Sequence, residues 1–193
     1  MLMRILTKLS PAFVLTLAFI LLTGLAYPLA ITGIGQAIFP AQANGSLIRK
    51  GETILGSSLI GQNFASDRYF RPRPSVTADA AYNAAASTGS NLGPTSAKLA
   101  ARVKADVERL AASGIASPVP ADGATASGSG LDPDISPQFA RAQVKRIASV
   151  RGLAETEIAA LVDRFTEGRL LGIVGEPRVN VLRLNLALDD LSS

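Results

Sequence analysis

From Leu9 to Ile48 the chain runs forty residues without a charged side chain, bracketed by Lys8 and Arg49. The densest part is Ala12 to Ile31, AFVLTLAFILLTGLAYPLAI. Twenty helical residues rise roughly 30 Å, the thickness of a bilayer's hydrocarbon core. Ser10 is placed to cap such a helix, and Pro11 suits its first turn, where a missing N–H costs nothing. Tyr27 sits where an aromatic ring favours the headgroup boundary, and Pro28 predicts a kink or an end there. A cleaved signal would have a shorter apolar core and a nearby small-x-small site. Ala41-Gln42-Ala43 is such a site, but it lies far downstream. A buried soluble helix is the third reading, and it rarely runs this long without a charge. The retained anchor fits best. Arg4 and Lys8 precede the segment and nothing basic follows until Arg49, so the positive-inside rule predicts a cytoplasmic N-terminus and an exported remainder.

The anchor accounts for the apolar composition, 48% hydrophobic against 18% charged. Beyond it, 17 basic and 15 acidic residues remain, too even a balance to suggest nucleic acid. His and Cys are both absent. That excludes a Ser-His-Asp triad, a Cys-His dyad, an HExxH zinc site and thiolate metal sites.

The pattern divides the chain into a cytoplasmic N-terminus (1–11), a transmembrane helix (12–31), a connector (32–52) and an extracytoplasmic α+β domain (53–193). Within the last, Thr53 to Ile60 reads as a strand, and 65–95, rich in Gly, Pro, Ser and Asn, as a long loop or disorder. Helices are expected at Ser96–Ala112, Pro137–Arg151 and Glu155–Glu167, with Ser96 and Ser136 as caps and Gly114, Gly152 and Gly168 as stops. Leu170–Val174 and Arg178–Leu188 read as strands, the latter from the alternation of Leu182, Leu184, Leu186 and Leu188.

Candidate chemistry is sparse. Gly56 to Gly61 has the glycine spacing of a phosphate loop but lacks its Lys-Ser/Thr pair. Thr95 and Lys98 are spaced as a nucleophile and base, yet nothing evident lowers the lysine's pKa. No catalytic, cofactor or metal residue is assigned. Arg68, Arg71 and Arg73, interleaved with Tyr69 and Phe70, suggest a surface arm that anchors a protein partner. Thr16, Thr23 and Gly24 are the small or polar positions on the anchor, suited to close helix packing in lipid. The Ser127, Ser129, Asp132 and Asp134 loop is either a rigid lead into the helix capped by Ser136 or a cation-facing loop.

Several segments then assemble in order: GQNF (61–64), YFRPRPS (69–75), YN (82–83), GSNLGPT (89–95), SGSGLDPDIS (127–136), AQVKRIA (142–148) and GEPRVNVLRLNLAL (175–188). Behind an N-terminal anchor, this series resembles the C subunit of the bacterial Kdp potassium-transporting P-type ATPase. It departs at Asp134, where many members carry His, and at Val76, where Ala is usual. The resemblance implies a non-catalytic accessory subunit of an ATP-driven potassium importer in the cell inner membrane, with the bulk of the chain periplasmic. It implies two partners, a potassium-binding channel-like subunit and a P-type ATPase subunit, in a complex that uses ATP, Mg and K. It further implies a chaperone-like role that raises the pump's affinity for ATP. The chain itself has no DKTGT or Walker motif. An exported domain would not touch cytosolic ATP directly, so the coupling would pass through the membrane. Independently of the resemblance, Asp122, Asp132 and Asp134 in a stretch without a basic residue, Leu110 to Ala140, suggest that the Ser127–Asp134 loop faces the ion entrance, the alternative being that it only packs and caps the helix behind it. The alternative from the residues alone is a membrane-anchored extracytoplasmic hydrolase or ligand-binding module.

Overall fold

Three side chains decide where the body's long helices begin. Ser96 Oγ accepts the Leu99 amide at 3.4 Å, Ser136 Oγ the Phe139 amide at 3.0 Å, and Asn180 Oδ1 the Arg183 amide at 3.1 Å. Each satisfies an amide that the helix leaves unpaired at its start. The structure is a computed structural model that describes residues 2–115 and 117–191, with side chains from Leu9 onward. Arg4 and Lys8, on which the expected orientation rests, have side chains outside the described set. The chain divides into two compact units, Met1–Leu47 and Ile48–Ser193.

The first unit is one long helix and a short turn. α1 (Leu2–Leu21) passes through a π-helical turn, Leu22–Ala26, into α2 (Tyr27–Ile38). Of the kink or end expected at Pro28, the helix shows no end; it continues to Ile38. Proline removes one backbone bond and crowds the carbonyl four residues back, and the π-turn just before it widens the ladder where that strain falls. Leu9–Ile38, whose most apolar 18-residue window has a mean hydropathy of 2.2, is long and apolar enough to cross a membrane. Its thirty residues rise roughly 45 Å, more than a ~30 Å hydrocarbon core requires. The expected connector therefore starts as helix and continues through α3 (Pro40–Ala43).

The second unit carries the remaining secondary structure. β1 (Leu47–Lys50), which starts at the unit boundary, pairs with β2 (Thr53–Ser57). α4 (Ala97–Ala112) packs on α5 (Ala121–Ala124). α6 (Pro137–Arg151) packs on α7 (Glu155–Arg164), and α7 on α8 (Val181–Leu191). A three-stranded antiparallel sheet has β5 (Arg178–Asn180) between β3 (Asp134–Ile135) and β4 (Thr166–Glu167). Ile135 faces Val179, and Val179 faces Thr166. The architecture is an α+β body preceded by one apolar helix, as the sequence suggested.

The core joins Phe139, Val144 and Ile147 of α6, Ile158, Leu161 and Val162 of α7, and Val181, Leu184 and Leu188 of α8. That last set corrects a second expectation. The alternating leucines of 182–188 predict a strand, but the strand stops at Asn180. Val181, Leu184, Asn185 and Leu188 also fall at i, i+3, i+4 and i+7, one face of a helix. Leucine favours helix over strand, and Asn180 caps it. Leu170–Val174 is not a strand either. It closes on itself through one antiparallel bridge between its first and last residues.

Candidate functional site

The arginine and aromatic segment, expected to project as an arm, is built into the body. Phe70 has no exposed surface and belongs to the core. Two buried amide side chains hold its backbone as a neighbouring strand would. Asn185 on α8 accepts the Phe70 N–H at 2.8 Å and donates to the Phe70 carbonyl at 3.0 Å. Gln143 on α6 accepts the Arg71 N–H at 2.7 Å and donates to the Arg71 carbonyl at 3.1 Å. Both amides are essentially without exposure, so every polar atom they bring inside must be matched.

Two arginines extend the clamp. Arg146 of α6 donates to the Tyr69 carbonyl at 3.0 Å, to Gln143 Oε1 at 2.7 Å and to the Asp67 carbonyl. Burial and, less so, the nearby Arg71 charge together bring its guanidinium pKa down to about 10, against the opposing pull of Asp67. Arg151 at the end of α6 has a side chain only 1% exposed. It donates to the Arg68 carbonyl at 2.8 Å, pairs with Asp189 at 2.7 Å and lies 5.0 Å from the Tyr69 ring centroid. Tyr69 Oη donates to the same Asp189 at 3.0 Å. Arg68 is exposed, and Arg71, half-buried, pairs with Asp67.

Farther along, the segment meets the second candidate, the Ser127–Asp134 loop. Arg73 Nη1 pairs with Asp132 Oδ2 at 2.7 Å, so the two candidates form one unit. Ser75 Oγ donates to the Gly130 carbonyl at 2.8 Å, and the Thr88 N–H to the Ser129 carbonyl at 3.0 Å. Tyr82 Oη donates to the Arg73 carbonyl at 2.8 Å. Burial raises the Tyr82 pKa, Asp132 adds to the rise, and Arg73 opposes it. Gly61 lies so close beneath that a Cβ there would sit 2.6 Å from the Asp132 carbonyl oxygen and 2.4 Å from the Tyr82 ring. The region read as loop or disorder is thus an ordered cover, locked by hydrogen bonds rather than by periodic structure.

Within the loop, Ser127 Oγ accepts the Gly130 N–H at 2.9 Å and Ser129 Oγ the Leu131 N–H at 3.1 Å. Asp132 Oδ1 accepts the Asp134 N–H at 3.0 Å. Asp134 pairs with Arg178 at 3.2 Å and accepts from Asn180 at 3.1 Å. Burial leads the rise of its pKa, opposed by the Asn180 bond. Asp122 accepts the Ser136 N–H and hydroxyl at 2.6 and 2.9 Å. A cavity of about 460 Å³ is lined by Asp122, Asp132, Asp134 and Glu176, but Arg73 and Arg178 line it too. The carboxylates hold the turn and the helix start. Arg73 and Arg178 offset part of their negative charge within the cavity wall, which weakens the field available to a passing cation.

On the apolar helix, Thr16, Thr23 and Gly24 are exposed. Thr23 Oγ1 donates to the Phe19 carbonyl at 2.7 Å, which satisfies the hydroxyl inside its own helix. Nothing lies within 4 Å of the space a Gly24 Cβ would fill.

The parts that Gln143, Arg146, Arg151, Asn185, Tyr82 and Gly61 play in holding this segment were not anticipated. Two signals were present. Asn185 interrupts the leucines of 182–188, and Gln143 falls between Ala140 and Val144 on the buried face of α6. A polar residue on an apolar face demands a partner.

One helix long and apolar enough to cross a membrane, ahead of an α+β body, defines the class in outline. The comparisons make the class specific. The family model of KdpC, the c chain of K+-transporting ATPase, matches residues 9–190, so the chain belongs to that family of pump subunits. The KdpC subunit of the potassium-transporting ATPase of Allorhizobium ampelinum is 56% identical, over 95% of this chain and 96% of that one. The corresponding subunit of Methylobacterium nodulans is also 56% identical, over 97% and 98%. That of Bradyrhizobium diazoefficiens is 54% identical, over 95% and 97%.

Proposed function

We propose that this chain is a non-catalytic accessory subunit required for assembly and activity of an ATP-driven potassium importer. In this reading α1 and α2 cross the cell inner membrane once, with the N-terminus cytoplasmic and the body outside. Its partners are a potassium-binding channel-like subunit and a P-type ATPase subunit that handles ATP, Mg and K. The observation that carries it is the Leu9–Ile38 helix, uncharged throughout with no position buried, in a chain of the KdpC family. The body's polar residues are engaged in holding its own loops, which supports a scaffolding role over chemistry. Any effect on ATP affinity is a coupling between sites on either side of the membrane.

Thr16, Thr23 and Gly24 form the face that docks on a membrane helix of a partner, where small residues permit close approach. The test is purification of the affinity-tagged chain from membranes in mild detergent. The wild-type chain brings down the multi-span pump subunits, and Gly24→Leu reduces their recovery. Recovery of the wild-type chain alone overturns the proposal.

A further inference from the structure

Leu170, Leu171, Ile173 and Val174 are 68, 85, 77 and 56% exposed. They make up most of the body's exposed large apolar residues, with only Ile54, Leu59 and Val150 elsewhere among those described. Their concentration in five consecutive positions marks a contact surface. The tip is preformed. The Leu170 N–H donates to the Val174 carbonyl at 2.9 Å and the Val174 N–H to the Leu170 carbonyl at 3.0 Å. Arg169 bridges both oxygens of Glu176 at 2.9 and 2.7 Å across the base. Leu171 has a φ of 53°, a region that non-glycine residues seldom adopt and that is commonest at functional sites.

The charges around the tip say what it meets. Arg169 is paired with Glu176, Arg178 with Glu167 and Asp134, and Arg183 with Glu167. None of these arginines is offered alone to an anionic headgroup, and the two glutamates would repel one. From Thr166 onward the sequence has no aromatic residue of the kind that settles at a lipid interface. An apolar centre inside a rim of mutually neutralised charges is how a protein interface is built. We propose that the Leu170–Val174 tip is a plug that seats in an aliphatic pocket on another subunit of the same pump. The proposal rests on the accessory-subunit reading above.

The test installs photoreactive benzoylphenylalanine in place of Ile173 in the full-length chain and irradiates native membranes. The expected product joins this chain to another pump subunit, identified by its mass and peptides. A crosslink to lipid, a crosslink to a second copy of this chain, or no crosslink overturns the proposal. A second arm purifies the Leu171→Asp, Ile173→Asp double variant from membranes. Recovery of the pump subunits is expected to fall about tenfold, the scale of a central interface contact, with the thermal unfolding midpoint of the chain unchanged. Recovery at the wild-type level also overturns it. If wild-type chain recovers no pump subunits, the accessory-subunit reading fails. If it recovers them while the tip arms fail, only the plug is lost.

Discussion

Two irregular segments of the body invert what their compositions suggest. Residues 67–73 carry three arginines and one aspartate, yet their backbone lies under α6 and α8 side chains and Phe70 is in the core. Residues 170–174 carry four aliphatic side chains and no charge, yet all four face outward. The difference is in who satisfies the backbone. The first segment finds Asn185, Gln143, Arg146 and Arg151 waiting for its carbonyls and amides. The second satisfies its own amides within one tight turn and leaves its side chains nothing to pack on. Hydrophobicity places a side chain only after the backbone's hydrogen bonds have been placed.

The sharpest way to break the comparison is to empty the buried end of the first segment. Phe70→Ala removes a fully buried ring from the core, and such truncations cost about 3–5 kcal/mol. The denaturant midpoint of the detergent-solubilised chain is expected to fall accordingly. A loss below about 1 kcal/mol would mean that the segment is only lightly attached, as the surface-arm reading required.

A second variant separates the ring's packing from its backbone support. Asn185→Leu keeps the number and branching of side-chain heavy atoms, though its methyls are bulkier, while leaving the Phe70 N–H and carbonyl buried without their amide partner. Each orphaned group costs about 1–3 kcal/mol, partly offset by leucine's own burial, so a net loss of about 2 kcal/mol is expected. It would show in the same unfolding curve. Amide hydrogen exchange at Phe70 should accelerate more than exchange within α7. Equal acceleration at both sites would show that Asn185 acts through the core as a whole.

These residues also show what was legible in the sequence. The helices at 97–112 and 137–151 could be read because caps, glycine stops and apolar spacing act within a few residues of one another. The third was read from its apolar spacing but carried to Glu167, whereas it ends at Arg164 and Thr166–Glu167 pairs as β4. The apolar helix was legible from its uncharged run, but not its ends: it starts at Leu2, so Ser10 does not cap it and Pro11 lies inside it, and it continues to Ile38. The 182–188 leucines were ambiguous because alternation and the helical stripe coincide there, and the deciding Asn180 cap carries no hydrophobic signal. The clamp on 67–73 was out of reach. Asn185 and Phe70 lie 115 positions apart, and no local pattern announces that pairing. The Arg73–Asp132 bridge, across 59 positions, was missed likewise, although both residues had been singled out separately.

The smallest expected effect has the opposite sign, and that makes it informative. Leu171 holds a positive φ with its side chain 85% exposed, so burial returns little to offset the backbone strain. Asparagine tolerates this conformation far better than leucine. Leu171→Asn should therefore raise stability, by about 0.5–1 kcal/mol, as a small upward shift in the unfolding midpoint. Seen from the isolated chain, leucine is the worse residue. Its presence makes sense only if something outside the chain takes up the side chain. The same variant should then recover less of the pump than wild type does, a gain in stability accompanied by a loss in assembly. If Leu171→Asn is neutral or destabilising, the turn relies on leucine for its own structure, and the contrast between the inward and outward segments loses its outward half.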